Sequence, residues 1–444
     1  MKAQAIDKKF FKFVLPSMFT MFLNGLYTIV DGFFVGHAVG DVGLAGIGLV
    51  WPITAVLIAL GMGIGVGGSV LMSTARGAGC DENANAARAN TLMLLAAASA
   101  LLTLLLVVMN PALVYALGAR GEVYDAAMAY IRIISIGGSM QILASGLIPM
   151  IRNSHKTIQA MMIMGTGLVC NIILDACFTM IIPMGLAGAA LATITAQSLT
   201  VAGSLACLFK DRAHPVRRSH FRLQKRMMAR MLKIGVSPFG LSLMPSVITI
   251  YNNLQCLAYG GDLAVSAYAV INYFIGSVLL LLEGVGEGMQ PLISYASGAG
   301  DYGAMKRLKN KGLMTVLVFS ALFLIACVPA VDLLPGFFGT SAQTAEIIRS
   351  ALPILGLAFP MMGLGKLFTS YFYACGETLY STLLVYLDPV LFTPLCIFIL
   401  PRLFGLKGVW MALPGAQALI MAVLMVLWGL HRSTLRSREA EYAG

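Results

Sequence analysis

Long apolar stretches follow one another along almost the whole chain, separated by short polar loops. A helix needs about 20 apolar residues to cross a hydrocarbon core of about 30 Å, and the stretches reach that length. Twelve of them can be counted, with approximate limits 14–36, 44–70, 91–116, 127–150, 158–182, 186–209, 236–259, 264–294, 313–334, 345–373, 380–400 and 408–430. The pattern predicts an all-α polytopic membrane protein with twelve transmembrane helices.

The second half of the chain repeats the first half. A shift of 221 residues places "GIGVGGSVLMSTARGAG" (63–79) over "GVGEGMQPLISYASGAG" (284–300), and a shift of 220 places "GLAGAALA" (185–192) over "GLKGVWMA" (405–412). Each half holds six spans, an even number, so both halves begin on the same membrane face. We therefore predict two six-helix lobes, 1–209 and 234–444, joined by a basic cytoplasmic linker at 210–233.

Composition and charge agree with a membrane location. Hydrophobic residues make up 59% of the chain and charged residues 11%, against about 25% charged residues in soluble domains. The net charge of +11 is concentrated on alternate loops, which hold 24 of the 30 Lys and Arg residues. Basic loops stay in the cytoplasm, which places both termini there and the protein in the plasma membrane. We expect the linker to form an amphipathic helix on anionic membrane lipids, and no nucleic acid to bind.

The sequence carries no recognisable enzymatic, metal or cofactor motif. Its eight cysteines are scattered without a CxxC pair. There is no HExxH, and "GLGKLF" (363–368) departs from a phosphate loop because Leu367 follows its lysine. We expect a monomeric protein that is not an enzyme and works without a cofactor.

Span 1 carries polar residues at bilayer depth. Asn24, Tyr27, Thr28 and Asp31 fall at i, i+3, i+4 and i+7, so a helix places them on one face. A carboxylate at this depth costs about 2.5 to 3.5 kcal/mol, and such residues are functional by default.

Spans 5 and 6 carry further polar groups. Asn171 and Asp175 lie one helical turn apart on span 5, and span 6 offers Thr193 and Thr195. Two carboxylates in one low-dielectric lobe cannot both stay ionised cheaply, so a site that includes Asp31 and Asp175 should take up a proton or Na⁺ near physiological pH. The alternative is that both acids are hydrogen-bonded within the bundle and fix its packing.

The second lobe does not copy this arrangement. Its charged residues within spans are Glu283 and Glu287 on span 8, Lys366 on span 10 and Asp388 on span 11. Lys366 either forms an ion pair with one of these acids, since an unpaired ammonium would be costly, or it takes part in contact with a cationic substrate.

Pro16 lies about four helical turns before Asp31. Proline leaves a helix hydrogen bond unmade and allows bending, although proline is also common near helix starts. The sequence leaves two interpretations of Pro16, a hinge or an ordinary helix start.

With these residues in view, the chain resembles the multidrug and toxic compound extrusion (MATE) family over essentially its whole length. The resemblance rests on "LPSMFTMFLNGLYTIVDGFFVGHAVG" (15–40), "NIILD" (171–175) and "MQPLISYASGAG" (289–300), the last of which is most similar to the MepA-like bacterial branch. It implies cation-coupled export of small amphipathic, often cationic, compounds by alternating access between two lobes.

The resemblance also implies roles for individual residues. The family's first-lobe cation site would fall on Asp31, Asn171, Asp175 and Thr193, with H⁺ as the coupling ion or Na⁺ held at the first three. Its bending proline would be Pro16. Candidates to line the substrate path are Asn24, Tyr27, Thr28, Glu283 and Glu287. Some members carry an acid on span 7 and another on span 10, and this chain has neither, so a second-lobe Na⁺ site of that kind is not expected.

A lipid-linked precursor flippase of the same superfamily is the alternative function. Such a flippase should have a strongly cationic central cavity, whereas the spans here contain few bases, namely Arg132, Arg349 and Lys366.

Overall fold

The computed structural model describes residues 3–211, 215 and 217–443, and no strand occurs among them. Their helices are α1 Ala3–Gly77, α2 Asp81–Ala116, α3 Gly121–Ile136, α4 Gly138–Asn153, α5 Thr157–Asp175, α6 Gly185–Phe209, α7 Lys225–Gly298, α8 Tyr302–Phe338, α9 Ala342–Gly356, α10 Phe359–Ala374, α11 Thr378–Leu387, α12 Thr393–Phe404 and α13 Leu406–Ala443. Two π-helical segments, Ala176–Ile181 and Asp388–Phe392, follow α5 and α11, and a 3₁₀ turn covers Arg218–His220.

Two long helices each bend at a glycine. The break in α1 lies at Gly40 (φ 72°, ψ −155°) and the break in α7 at Gly261 (φ 64°, ψ −161°). A backbone with positive φ strains residues that have a β-carbon, so glycine suits both positions. The two glycines are 221 residues apart, the same shift as the sequence repeat, and both therefore separate the first two spans of a half.

Two other spans are each built from a bent pair of helices. α3 and α4 meet at 59°, and α9 and α10 meet at 45°. Among the described residues, eight helices are long and apolar enough to cross a membrane, or ten when each bent pair counts as one span. One of these helices, α7, supplies two spans, and α1 before Gly40 supplies another. Ten of the twelve predicted spans thus lie within one of the observed helices or bent pairs. The span 158–182 falls on α5 and its π-helical segment except for its last residue, and the span 380–400 falls on α11, its π-helical segment and α12, as expected of a multi-pass membrane protein.

The chain forms two compact units. The first unit is Phe19–Leu243, and the second unit is Met1–Met18 together with Met244–Gly444. The start of α1 thus belongs with the second half of the chain, and the start of α7 with the first half. The unit limits fall inside helices, at different positions from the predicted lobe limits.

Glycines of the sequence repeat explain where the starts of α1 and α7 pack. A β-carbon on any of four glycines would overlap the backbone of a facing helix. The facing pairs are Gly63 with Gly235 and Gly67 with Met231 in the first unit, and Gly284 with Met18 and Gly288 with Val14 in the second. Small residues let helix backbones approach closely in membranes. The matched glycines therefore serve one purpose in both units. They allow close packing of the start of α7 in the first unit and of the start of α1 in the second.

The linker is held against α2 rather than forming one amphipathic helix. The Asn90 side chain donates to the carbonyl oxygen of Arg222 at 3.1 Å and accepts from the backbone N–H of Gln224 at 3.0 Å. These contacts occupy backbone groups that a helix would use. A regular helix begins only at Lys225, so the prediction of an amphipathic helix is wrong for the described linker residues before that point.

Candidate functional site

Asp31 and Tyr27 lie one helical turn apart on α1, within the first unit. Asp31 Oδ1 and the Tyr27 hydroxyl are shielded from solvent, and neither has a hydrogen-bond partner in the structure. Asn24 is exposed, and the side chain of Thr28 lies outside the described residues. Tyr27 and Asp31 are therefore the members of the predicted polar face that are observed with buried polar atoms.

Asn171 and Asp175 are fully buried on α5, at 0% exposure each. Neither polar atom of the Asn171 side chain and neither carboxylate oxygen of Asp175 has a hydrogen-bond partner in the structure. The regular helix ends at Asp175, and the hydroxyl of Thr179 in the following π-helical segment donates to the Asp175 carbonyl oxygen at 2.6 Å. π-Helical turns occur frequently at functional sites. Here one begins directly after the buried acid.

Only one of the two candidate threonines on α6 reaches these acids. Thr193 is 4% exposed, and its hydroxyl lies close to Asp31 and Tyr27 without reaching hydrogen-bonding geometry. Thr195 is exposed, and its hydroxyl donates to the carbonyl oxygen of Leu191 on its own helix at 2.7 Å. Two residues along a helix face different directions, so one threonine is turned inward and the other outward.

Three helices of the first unit thus bring together one group of side chains with buried polar atoms, here called the acid cluster: Tyr27, Asp31, Asn171, Asp175 and Thr193. Asp31 and Asp175 lie within Coulombic range of each other, and Tyr27 within range of both. A buried polar group without a partner costs about 1–3 kcal/mol, and a charged group more. Uptake of a proton or a small cation would offset that cost.

The donor set fits a hard cation as well as a proton. Oxygen atoms are the ligands that hard cations prefer, and the acid cluster offers carboxylate, amide and hydroxyl oxygens. Among the described residues, no group of three or more His, Cys, Asp or Glu side chains is placed to hold a metal. A fit to Na⁺ therefore depends on the oxygens of Asn171 and Thr193 as well as on the two carboxylates.

Tyr130 is a member of this neighbourhood that the sequence did not reveal. It lies on α3, is 3% exposed and sits within Coulombic range of Asp31, Asp175 and Tyr27. In the sequence it is a single tyrosine in an apolar stretch, with no polar residue at helical spacing to mark a face. Its place beside the acids follows from the packing of α3 and could not be inferred from local pattern.

The second unit holds its charged residues in a different way. Lys366 on α10 forms an ion pair with Glu283 on α7 at 2.5 Å, which confirms the predicted pairing and identifies the partner. Glu287 is 1% exposed and accepts a hydrogen bond from the Tyr373 hydroxyl at 2.7 Å. Every carboxylate named here has a partner, in contrast to the acid cluster.

Asp388 begins the π-helical segment of the second unit. Its Oδ1 accepts from the Thr393 hydroxyl at 2.7 Å and its Oδ2 from Gln417 Nε2 at 2.6 Å. Lys366 lies within Coulombic range of Asp388. One lysine therefore faces two carboxylates in this unit.

Pro16 lies on α1 two residues before the chain passes from the second unit into the first, between Met18 and Phe19. Within the described part of α1 the backbone is helical except at Gly40, so the helix continues through Pro16. Proline removes one hydrogen bond from a helix interior and weakens the helix there. The weakened turn coincides with the point at which α1 changes unit.

Comparison with known proteins places this arrangement in a family. The MatE family model matches residues 16–177 and 241–398. The multidrug export protein MepA of Staphylococcus saprophyticus subsp. saprophyticus is 26% identical over 440 residues, which cover 98% of this chain and 96% of that protein. MepA of Staphylococcus aureus strain MRSA252 is also 26% identical, over 439 residues, with the same coverage.

Solved structures show the same fold. A multidrug resistance MATE family transporter of the MOP superfamily, in an outward-facing conformation, has a TM-score of 0.91 at 22% identity and covers 97% of both chains. A MATE structure in the bent conformation has a TM-score of 0.90 at 22% identity and covers 98% of this chain and 97% of that one. The chain belongs to the MATE family, as the sequence resemblance predicted.

Proposed function

We propose that this protein is a cation-coupled antiporter that exports amphipathic, often cationic, compounds by alternating access, with H⁺ or Na⁺ as the coupling ion. The observation that carries the proposal is the acid cluster, in which two carboxylates share one buried region and most polar atoms have no partner. The names of the relatives MepA, which are multidrug export proteins, support the same function.

Ion uptake at the acid cluster would drive the cycle by a change of charge. A gradient can move a substrate only when the ion binds one conformation more tightly than another. When Asp31 and Asp175 are ionised, they repel each other and attract the polar groups of α5 and α6; when a proton or Na⁺ is bound, both effects weaken. The start of α1 is then freer to bend at Pro16, and bending would change the space available to a substrate in the first unit.

The flippase alternative lacks support from the observed bases. Lys366 is paired with Glu283. Arg132 is exposed, and Arg349 is exposed and paired with Asp332 at 2.7 Å. These side chains do not build the cationic cluster that an anionic lipid-linked substrate would need.

We further propose that the protein acts as a monomer in the plasma membrane, with both termini in the cytoplasm. The acid cluster is complete within one chain, so no second copy is needed to build it. The basic loops favour this orientation. The exposed linker residues Arg217, Arg218 and Arg222 suit contact with anionic lipid headgroups.

Transport in proteoliposomes tests the proposal. Export of a fluorescent lipophilic cation is measured under an imposed pH gradient alone and then under a Na⁺ gradient alone, with no ATP present. We expect at least one gradient to drive accumulation against the substrate's own gradient, and dissipating that gradient should stop it. If neither gradient drives accumulation while the reconstituted protein still binds the dye, coupling to these ions is refuted.

A further inference from the structure

The second unit contains an ion pair that remains partly accessible. The side chains of Lys366 and Glu283 are 14% and 12% exposed, whereas Glu287, one helical turn further along α7, is 1% exposed beneath Tyr373. A pair whose only role is to hold helices together has no need of such access. Part of the Lys366–Glu283 pair therefore lies at a surface of the second unit.

The charges around Lys366 do not balance. Glu283 and Asp388 are both carboxylates. Among the described residues, Lys366 is the cation that interacts with each of them. Thr393 and Gln417, which hold Asp388, are neutral donors and add no charge. With both carboxylates ionised, the three groups would sum to one negative charge, in a setting where charge is costly.

Asp388, which lies within Coulombic range of Lys366, offers the lysine a second acceptor. A carboxylate has about four acceptor sites, and Asp388 uses two of them for Thr393 and Gln417. The lysine ammonium carries three donors on a flexible stem, so it can exchange one carboxylate for another without becoming unpaired. An exchange of this kind would release Glu283.

We propose that Lys366 is a tethered cation that holds Glu283 until a lipophilic cation displaces it, after which the ammonium moves to Asp388 and the substrate pairs with Glu283. This inference rests on the proposed function, because it assumes that the exported compounds are cations. It makes Lys366 a specificity-determining residue. A neutral or anionic compound cannot replace the ammonium at Glu283, and the single net negative charge favours monovalent over divalent cations.

Equilibrium binding to the purified protein in detergent tests the displacement. The probes are tetraphenylphosphonium, its anionic counterpart tetraphenylborate, and a divalent lipophilic cation, dequalinium. In wild type we expect tetraphenylphosphonium to bind and tetraphenylborate not to compete. K366M removes the competitor, so tetraphenylphosphonium should bind about tenfold tighter, the scale of a close charge pair, and the preference should move toward dequalinium.

Further variants separate displacement from a change in packing. E283Q should lose most tetraphenylphosphonium binding, and the double variant E283Q/K366M should bind no tighter than wild type. D388N should weaken binding several-fold, because the displaced ammonium loses its second acceptor. R349M, which breaks the exposed Arg349–Asp332 pair of the same unit, is the matched control and should leave binding unchanged.

Equal affinities in wild type, K366M, E283Q and D388N would overturn the proposal. If K366M does not yield folded protein, D388N decides, and an unchanged affinity in D388N is then the refuting result. Because binding is measured without a gradient, it can fail while gradient-driven export stands. Absence of export with the expected affinity changes would instead refute the proposed coupling.

Discussion

At the scale of single residues, the acids beside the two π-helical segments, Asp175 and Asp388, are held in opposite ways. Asp175 has no hydrogen-bond partner for either carboxylate oxygen, whereas Asp388 has a donor on each. A packing role requires satisfied groups, because unsatisfied ones destabilise the fold. The unpartnered oxygens of the acid cluster therefore favour an ion-binding role over the packing role.

The two threonines of α6 provide a matched test of this assignment. Thr193→Val removes one oxygen of the acid cluster and should weaken the apparent affinity for the coupling ion about tenfold, the effect of losing a contact of about 1–1.5 kcal/mol. Thr195→Val is the control, since Thr195 is exposed and bonded to its own helix. The measurement is the initial rate of dye export against the concentration of the driving ion. Equal curves for the two variants would remove Thr193 from the site.

The Lys366–Glu283 pair predicts a coupled effect on stability. Lys366→Met should lower the free energy of unfolding by about 2 kcal/mol, less than for a fully buried pair, because Glu283 is left uncompensated. Adding Glu283→Gln should restore part of the loss, with a coupling energy above about 0.5 kcal/mol. Adding Glu287→Gln instead should restore nothing, since Glu287 bonds Tyr373. Thermal unfolding of the purified variants measures both, and an additive cycle with Glu283 would contradict the pairing.

Part of the site could be predicted from residue spacing and part could not. Asp31, Asn171 and Asp175 stand out because charge and amide groups are rare within apolar spans. Tyr130 does not stand out, because a tyrosine in a span is ordinary unless its neighbours in space are known. Spacing also could not distinguish Thr193 from Thr195, since the direction of each side chain depends on how α6 is rotated in the unit.

At the scale of helices, the recurring feature is a break at a defined position. Gly40 and Gly261 bend the two longest helices, and π-helical segments follow Asp175 and begin at Asp388. Each irregular segment lies next to a span limit or a buried acid. The breaks therefore coincide with span limits and with acids on the spans.

The position of Pro16 within α1 predicts that substitution of this proline slows transport by restricting the bending of the helix. Pro16→Ala restores a backbone hydrogen bond where α1 passes between units, and a stiffer helix should bend less readily. We expect unchanged substrate affinity and gradient-driven export slowed roughly threefold or more, since conformational steps limit many transport and catalytic cycles. Both are measured on the same reconstituted preparation. Pro111→Ala, within the last turns of α2 and inside one unit, is the control.

Equal export rates for Pro16→Ala and wild type would assign Pro16 to an ordinary helix start. A loss of substrate affinity in Pro16→Ala would likewise contradict a hinge role, because a hinge changes the rate of the conformational step and not the contacts to the substrate.

The transmembrane helices could be predicted because each one needs an apolar stretch long enough to cross the membrane. The predicted spans fall almost entirely on observed helical segments because the membrane demands both apolar length and internal hydrogen bonding. The linker was predicted less well, since Asn90 captures its backbone through a long-range contact that no local pattern shows. The interruption between α3 and α4, which falls at Gly137, was also not predicted.

At the scale of the whole molecule, the internal repeat has diverged in function while it is retained in structure. Glycines at equivalent positions pack the start of α7 in the first unit and the start of α1 in the second. In the acid cluster of the first unit, Asp31 Oδ1 and both carboxylate oxygens of Asp175 have no hydrogen-bond partner. In the spans of the second unit, Glu283, Glu287 and Asp388 all have partners. We infer that the first unit takes up the coupling ion and that the second recognises the charge of the substrate.

The assignment of ion uptake to the first unit is tested most directly by Asp31→Asn, in which gradient-driven efflux is compared with substrate exchange in the absence of a gradient. Proteoliposomes that hold wild type, Asp31→Asn, Asp175→Asn or the exposed-acid control Asp332→Asn are loaded with a lipophilic cation. Efflux is then measured with the driving gradient, and substrate exchange is measured without it. The account predicts that both acid-cluster variants still exchange substrate at rates close to wild type, and that the gradient accelerates efflux by wild type and Asp332→Asn alone. Acceleration of Asp31→Asn and Asp175→Asn to the wild-type extent would contradict it.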